Sequence, residues 1–361
     1  MWINRNKITI SQSSRKSKSE ISNVLYKKHL YIGTESGTVE CYSPAKIYET
    51  EYFQKKIDYL ESCDIQAKIT AFDFMETGGI TTTTFVSNER NIRVFDVRNN
   101  LSTIDNINNV PGGTYSHELV KEFTNIHAYI CNSISLNNDN QFFISSDYLA
   151  INLWRPDRLE GCYNLLNIKP LKNTDLVYVI NTCKFSPYLN TIFGYSTTNG
   201  EITFNDLRES SKSSKILKIL SKDSEIKDAA FKPISDFSFV NDNLVVNRSL
   251  NNVALIDLRN VEKDIFKVTV SEKISTNPGI LDSDAIYEKF KIAENGKYAF
   301  TGTFDNKVYC INLQTGEKEV VVLDIKHRSN ELNKTKFVAA KENGFFVSYG
   351  NVIYEYIDEN L

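Results

Sequence analysis

The sequence predicts an all-β fold, a seven-bladed β-propeller of four-stranded antiparallel blades, and three observations predict it. One strand ending recurs seven times along the 361 residues. A second short strand signal precedes most copies at a steady distance. No sustained 3.6-residue apolar period appears anywhere, which argues against strands alternating with helices.

The clearest copy lies in the stretch from Phe142 to Pro170. There Leu149, Ile151 and Leu153 alternate with Ala150 and Asn152 and end on Trp154, the period-two signature of a strand with unlike faces. Ser145, Ser146 and Asp147 before it favour a tight turn, because their side chains bond to nearby backbone. In chain order the endings are Thr38 to Tyr42, NIRVFDV (91–97), LAINLW (149–154), EITFNDL (201–207), NVALIDL (252–258), KVYCINL (307–313) and NVIYEYI (351–357). Their equivalent positions, Tyr42, Phe95, Trp154, Asn205, Ile256, Ile311 and Tyr356, are separated by 53, 59, 51, 51, 55 and 45 residues. That is slightly longer than the ~40–45 residues of a WD-repeat blade. The WD dipeptide itself is degraded to FD, ND, ID and IN, so the array is a divergent one.

The in-phase partners are ITAFDF (69–74), NSISL (132–136), CKFSP (183–187), AAFKP (229–233), EKFKI (288–292) and KFVAA (336–340). Two strand signals per period fit four-stranded blades, and radial repetition leaves only short sheet edges. Residues 1–20 read as an N-terminal polar segment, with Ser11 to Glu20 locally basic, and 21–361 as a single propeller. Three insertions interrupt it. Ser43 to Leu60 is polar and aromatic, and Arg98 to Asn125 (98–125) carries Val110-Pro111-Gly112-Gly113, read as a projecting hairpin or a surface loop. The third, 210–220, carries Lys212, Lys215 and Lys218 and reads as a solvated loop.

A hydrophobic fraction of 41% with 24% charged residues suits a buried core, and a net charge of −3 argues against nucleic acid as a partner. The six cysteines are far apart without a CxxC pair, and the four histidines lack metal-ligand spacing, so reduced thiols and no metal are expected. No stretch approaches 18 apolar residues, so no membrane contact and a cytoplasmic or nuclear location are expected. No phosphate loop, nucleophile elbow or metalloprotease motif is present, so no catalytic residue and no cofactor is assigned. Asp282, Asp284 and Glu288 gather three carboxylates, which read as a surface acidic patch.

Four ordered blocks carry a family resemblance. SSDYLAINLWRPDRLEGCYNLLNIKPLKNTDLVYVINTCKFSP resembles the signature region of the WD-repeat regulatory B subunits (B/PR55 class) of protein phosphatase 2A, where SADDLRINLW leads to NIVDIKP, an ELTEVIT-like stretch and an EFHP strand. IDYLESCDIQAKI (57–69), IHAYICNSIS (126–135) and DSDAIYEKF (282–290) resemble further family blocks in the same order. The resemblance implies a non-catalytic regulatory subunit. It would sit on the phosphatase scaffold (A) subunit, next to the catalytic (C) subunit, and recruit phosphoprotein substrates; the alternative is a propeller scaffold of a different multiprotein complex. It also implies substrate-binding residues. Leu176 would be an apolar anchor, Asp284 an acceptor for a target Arg or Lys, and Lys289 a donor, with Asp147, Tyr148 and Tyr129 on the same recognition face.

The departures fall on that face. Tyr148 stands where the family has Asp, which replaces a charged acceptor by an aromatic ring able to hold a cation by a contact of ~0.5–2 kcal/mol. Ala150 stands where the family has Arg, the family's Phe-Phe pair falls near Lys218-Ile219, and the 98–125 segment is shorter than the family's scaffold-binding hairpin.

Overall fold

The computed structural model describes residues 2–10, 19–58, 63–77, 81–99, 115–158, 160–170, 178–209, 217–220, 233–270, 288–304, 306–323 and 334–359. Among them every regular element is a strand, and the strands form seven four-stranded antiparallel sheets plus one two-stranded hairpin. This is the fold class of the seven-bladed β-propeller. All seven recurring endings are the third strand of a blade: Thr38–Ser43, Asn91–Asn99, Ala150–Trp154, Glu201–Asp206, Asn252–Asp257, Lys307–Asn312 and Val352–Asp358. Most of them are buried for most of their length, and Asn91–Asn99 buries one face through Ile92, Val94 and Val97, which is why the ending was the strongest signal.

The fourth strands behave differently. Ala45–Glu51, Tyr115–Thr124 and Leu217–Leu220 lie inside the three segments read as insertions. Each pairs along the third strand of its own blade, so these segments supply blade edges as well as connections. The first two are largely exposed, so they lack the apolar alternation by which a strand is recognised. A small hairpin, Lys56–Asp58 with Cys63–Ile65, begins inside the first insertion and ends beyond it.

The boundary expected at residue 20 also shifts. Trp2–Thr9 is a strand that pairs antiparallel with Val352–Asp358, completing the last blade from the opposite end of the chain. Trp2 anchors it, with ring centroids 5.3 Å from Tyr298, 5.4 Å from Phe300 and 5.3 Å from Phe345. In the fifth blade the first strand is Ile234–Phe239, just after the AAFKP segment, of which only Pro233 falls among the described residues.

The chain falls into two compact units. Gln12–Lys169 carries the first three blades, and Met1–Ser11 with Pro170–Leu361 carries the other four. Both contain the same fastening between neighbouring blades. In the first, the Lys27 ammonium pairs with Asp73 Oδ1 and donates to the Phe74 carbonyl, while Asp73 Oδ2 accepts the Leu136 amide at 2.8 Å. In the second, Lys184 lies 2.7 Å from Asp236 Oδ1 and donates to the Phe237 carbonyl, while Asp236 Oδ2 accepts the Ile292 amide at 3.1 Å. One carboxylate thus ties three consecutive first-strand regions through a cation on one side and a backbone amide on the other. Both aspartates are buried, so the charge is compensated where it would otherwise be costly.

Candidate functional site

The turn of the third blade is built from its buried side upward. Asp147 is 1% exposed, and its Oδ1 accepts the Leu149 and Ala150 amides, both at 2.7 Å. Its own amide donates to the Ala150 carbonyl at 3.0 Å. The carboxylate folds the chain back on itself, and Tyr148 becomes the tip of the turn. Asp147 Oδ2 lies 3.2 Å from His127 Nδ1, His127 Nε2 lies 2.7 Å from Ser145 Oγ, and the Trp154 indole donates to Ser145 Oγ at 2.8 Å. The partners assign the tautomer. Nδ1–H faces the carboxylate, Nε2 accepts the serine hydroxyl, and the serine oxygen accepts the indole N–H. Burial alone would raise the Asp147 carboxyl, but the His127 bond and the two amides outweigh it and hold it below the ordinary carboxylate value.

Asp, His and Ser in this order have the connectivity of a hydrolase triad, but Ser145 is 0% exposed and its oxygen is engaged by Trp154. No substrate carbonyl reaches it, and the arrangement is a packing device. Trp154 is itself fully buried, stacked on Phe143 at 5.6 Å and tilted against Phe123 at 4.5 Å.

Of the six sequence-predicted site residues, Asp147, Tyr148, Tyr129 and Lys289 fall among the described residues. Asp147 belongs to the interior: its carboxylate is consumed by His127 and two amides, and it offers no acceptor to a target. Tyr148 and Tyr129 are brought together, with ring centroids 6.1 Å apart. Asn132 sets that approach. Its amide donates to the Ser146 carbonyl at 2.8 Å, and its side chain bonds Ser146 Oγ at 2.6 Å and the Asp147 carbonyl at 3.2 Å. The loop before the first strand is thereby pinned to the turn. Tyr129 is 45% exposed, and Ile126 and Ile130 beside it are exposed as well. These two isoleucines lie on either side of Tyr129 in IHAYICNSIS, and no local pattern marks them as exposed.

Lys289 belongs to the unit of the later blades, where its ammonium donates to the Asn181 carbonyl at 3.3 Å. Burial, reinforced by the Lys291 charge and opposed by Asp236, lowers it to about 8. Glu288 next to it pairs with Lys334 and, at 2.6 Å, with Lys336. Burial would raise its carboxyl, and the two ammonium groups instead bring it below the usual value. Leu176, Asp284 and Asp282 lie outside the described residues. Among the described residues no cluster of His, Cys, Asp and Glu could hold a metal ion, and no helix is long and apolar enough to cross a membrane. Cys41, Cys131, Cys162, Cys183 and Cys310 are free thiols.

The fold and this site define a divergent WD-repeat propeller with a buried polar network below a half-buried aromatic turn. No family model matches the chain. It is 25% identical over 331 residues to the B-type regulatory subunit of protein phosphatase PP2A from Candida tropicalis, an overlap covering 82% of this chain and 64% of that one. It is 30% identical over 230 residues to the serine/threonine-protein phosphatase 2A regulatory subunit phr2AB of Dictyostelium discoideum, covering 61% and 47%. With the gamma isoform of the mouse 55 kDa regulatory B subunits of phosphatase 2A it shares 25% over 327 residues, covering 82% and 71%. The chain thus spans from about half to two thirds of the length of the first two relatives. Among solved structures, Raptor from Chaetomium thermophilum superposes with a TM-score of 0.64 at 11% identity, over 99% of this chain and 29% of that one, a likeness of fold alone. The chain is thus similar, over most of its length, to regulatory B subunits of protein phosphatase 2A, and these relatives are named as regulatory, not catalytic, subunits.

Proposed function

We propose that the chain is a non-catalytic regulatory subunit that docks on the phosphatase scaffold subunit and recruits phosphoprotein substrates to the catalytic subunit, in the cytoplasm or the nucleus. The observation that carries this reading is the match to regulatory B subunits across 82% of the chain, with four blocks of non-repeat sequence in family order. The buried Ser145 argues in the same direction, since the best-formed polar network serves packing and not turnover. In this reading the Tyr129 and Tyr148 rings contact the target, holding a target Arg or Lys by its cation, and Leu176, Asp284 and Lys289 are the further substrate-binding residues. The segment 98–125, which contributes the edge strand Tyr115–Thr124, touches the scaffold.

The test is affinity purification of the tagged chain at moderate salt with mass-spectrometric readout. Recovery of a phosphatase scaffold and catalytic subunit is expected. A reproducible partner set lacking both would replace this reading by a propeller scaffold of another complex. Asp284→Lys and Leu176→Arg are expected to reduce substrate recovery while the scaffold is retained, and shortening 98–125 is expected to do the reverse.

A further inference from the structure

The sheets of the first and second blades leave a cavity of about 90 Å³ between them, within one compact unit. Its wall takes Tyr31 from the second strand and Tyr48 from the fourth strand of the first blade, and Tyr115 from the fourth strand of the second, with His29, Cys41 and Glu76. Tyr48 and Tyr115 pack with ring centroids 5.1 Å apart, and His29 and Tyr31 at 6.4 Å. Beside them Thr50 Oγ1 lies 2.8 Å from His117 Nδ1, which fastens the two fourth strands together and gives the wall a defined shape. One buried atom of that wall, His29 Nδ1, has no hydrogen-bond partner among the described residues. Buried polar atoms in folded proteins are nearly always paired, and an exception marks a place where something polar is received.

The charges narrow the chemistry. Burial lowers His29 and keeps its imidazole neutral at pH 7, and burial raises the Tyr31 and Tyr48 hydroxyls and pushes the Cys41 thiol up to about 12. None of these groups carries charge. The carboxylate on the wall is Glu76, and its partner Lys28, 3.6 Å away with a mostly exposed side chain, is a loose and displaceable one. What remains is a set of tyrosine rings, whose faces attract cations, beside one carboxylate and an imidazole nitrogen free to accept.

We propose that this cavity binds a methylated ammonium group that retains one N–H, taken up among Tyr31, Tyr48 and Tyr115 with Glu76 as counter-charge and His29 Nδ1 as acceptor. Methyl groups suit the rings and reduce the hydration that an unmodified ammonium would lose on entry. The remaining N–H satisfies an imidazole nitrogen that otherwise has no partner. Such a head group occurs on a dimethylated lysine side chain and on small free amines, and the cavity's own chemistry is common to both.

The experiment is isothermal titration calorimetry of the full chain with N-acetyl-dimethyllysine amide and with dimethylethanolamine, against unmethylated N-acetyl-lysine amide and an uncharged carbon isostere of the dimethyl compound. Binding of a dimethyl amine roughly tenfold tighter than of the isostere is expected, and the stronger of the two amines identifies the source. Glu76→Gln and Tyr48→Phe are each expected to weaken it by several-fold. Glu76 is half-exposed, so its variant should keep the wild-type melting temperature and report on charge alone. Equal binding of the isostere, no heat from either amine at millimolar concentration, or unchanged affinity in Glu76→Gln would overturn the proposal. The cavity's chemistry is independent of the phosphatase reading, and either can fail with the other intact.

Discussion

Replacing Asp147 by Ala tests the physical account of the third-blade turn most directly. The carboxylate accepts two backbone amides at 2.7 Å and faces the His127 N–H at 3.2 Å, all away from water. Hydrogen bonds to a charged acceptor contribute about 1.5–3 kcal/mol each, and removing one partner of a buried pair costs about 3–5 kcal/mol because the other groups stay buried and unpaired. Since all three bonds share one acceptor they are not additive, and the expected loss is about 3–5 kcal/mol. Asp147→Asn keeps an oxygen for the amides and should lose about half as much. The assay is urea unfolding followed by the fluorescence of Trp154, 2.8 Å from Ser145 in the same network, in a Trp2→Phe background that leaves it the sole indole. The sign with pH follows from the depressed carboxyl of Asp147. Its contribution is complete above the unfolded value of about 3.9 and is lost as pH falls through the lower folded value. The wild type should therefore lose stability below about pH 4 more steeply than Asp147→Ala. A loss under about 1 kcal/mol with unchanged acid sensitivity would refute the reasoning.

Further outcomes follow from other parts of the chain. Asp73→Ala and Asp236→Ala should each cost about 2–4 kcal/mol, and each should be felt first by the tryptophan of its own unit, Trp154 for the former and Trp2 for the latter, in single-tryptophan urea titrations. Burial raises the Cys41 and Cys131 thiols to about 12, so only about one molecule in ten thousand carries either thiolate at pH 8. Alkylation followed by mass spectrometry should find both untouched in the native chain and modified in urea. Tyr148→Asp adds a carboxylate at the tip of the turn and should tighten binding of a basic peptide by roughly tenfold in fluorescence anisotropy at low salt, fading as salt is raised. An unchanged affinity would show that Tyr148 does not face the target.

The structure divides the residues expected to recognise a target by a criterion invisible in one dimension. Asp147 and Tyr148 are adjacent, and both align with the family's SADDL motif, yet one turns inward to His127 and the other outward to Tyr129. Which of two neighbours is spent on the fold depends on where His127, twenty residues earlier, is brought by strand pairing. The fastening by Lys27 and Asp73, repeated by Lys184 and Asp236, has a faint sequence signal in Asp-Phe within a first strand. Its cation and its amide come from the blades on either side, so spacing alone could not join them.

By itself the sequence determined the class of fold, because seven third strands carry buried apolar positions and repeat a period that packing enforces. It also carries the likeness to the regulatory B subunits, which rests on blocks outside the repeat. Only the tertiary structure decided where the blades end. Edge strands such as Tyr115–Thr124 and Trp2–Thr9 bury little, so their sequences carry no periodic mark, and they become strands because a neighbouring backbone offers hydrogen bonds. The cavity between the first two blades was likewise decided there. Its wall draws on residues from 28 to 115, and no local pattern connects Tyr31, Tyr48 and Tyr115 until two sheets set them side by side.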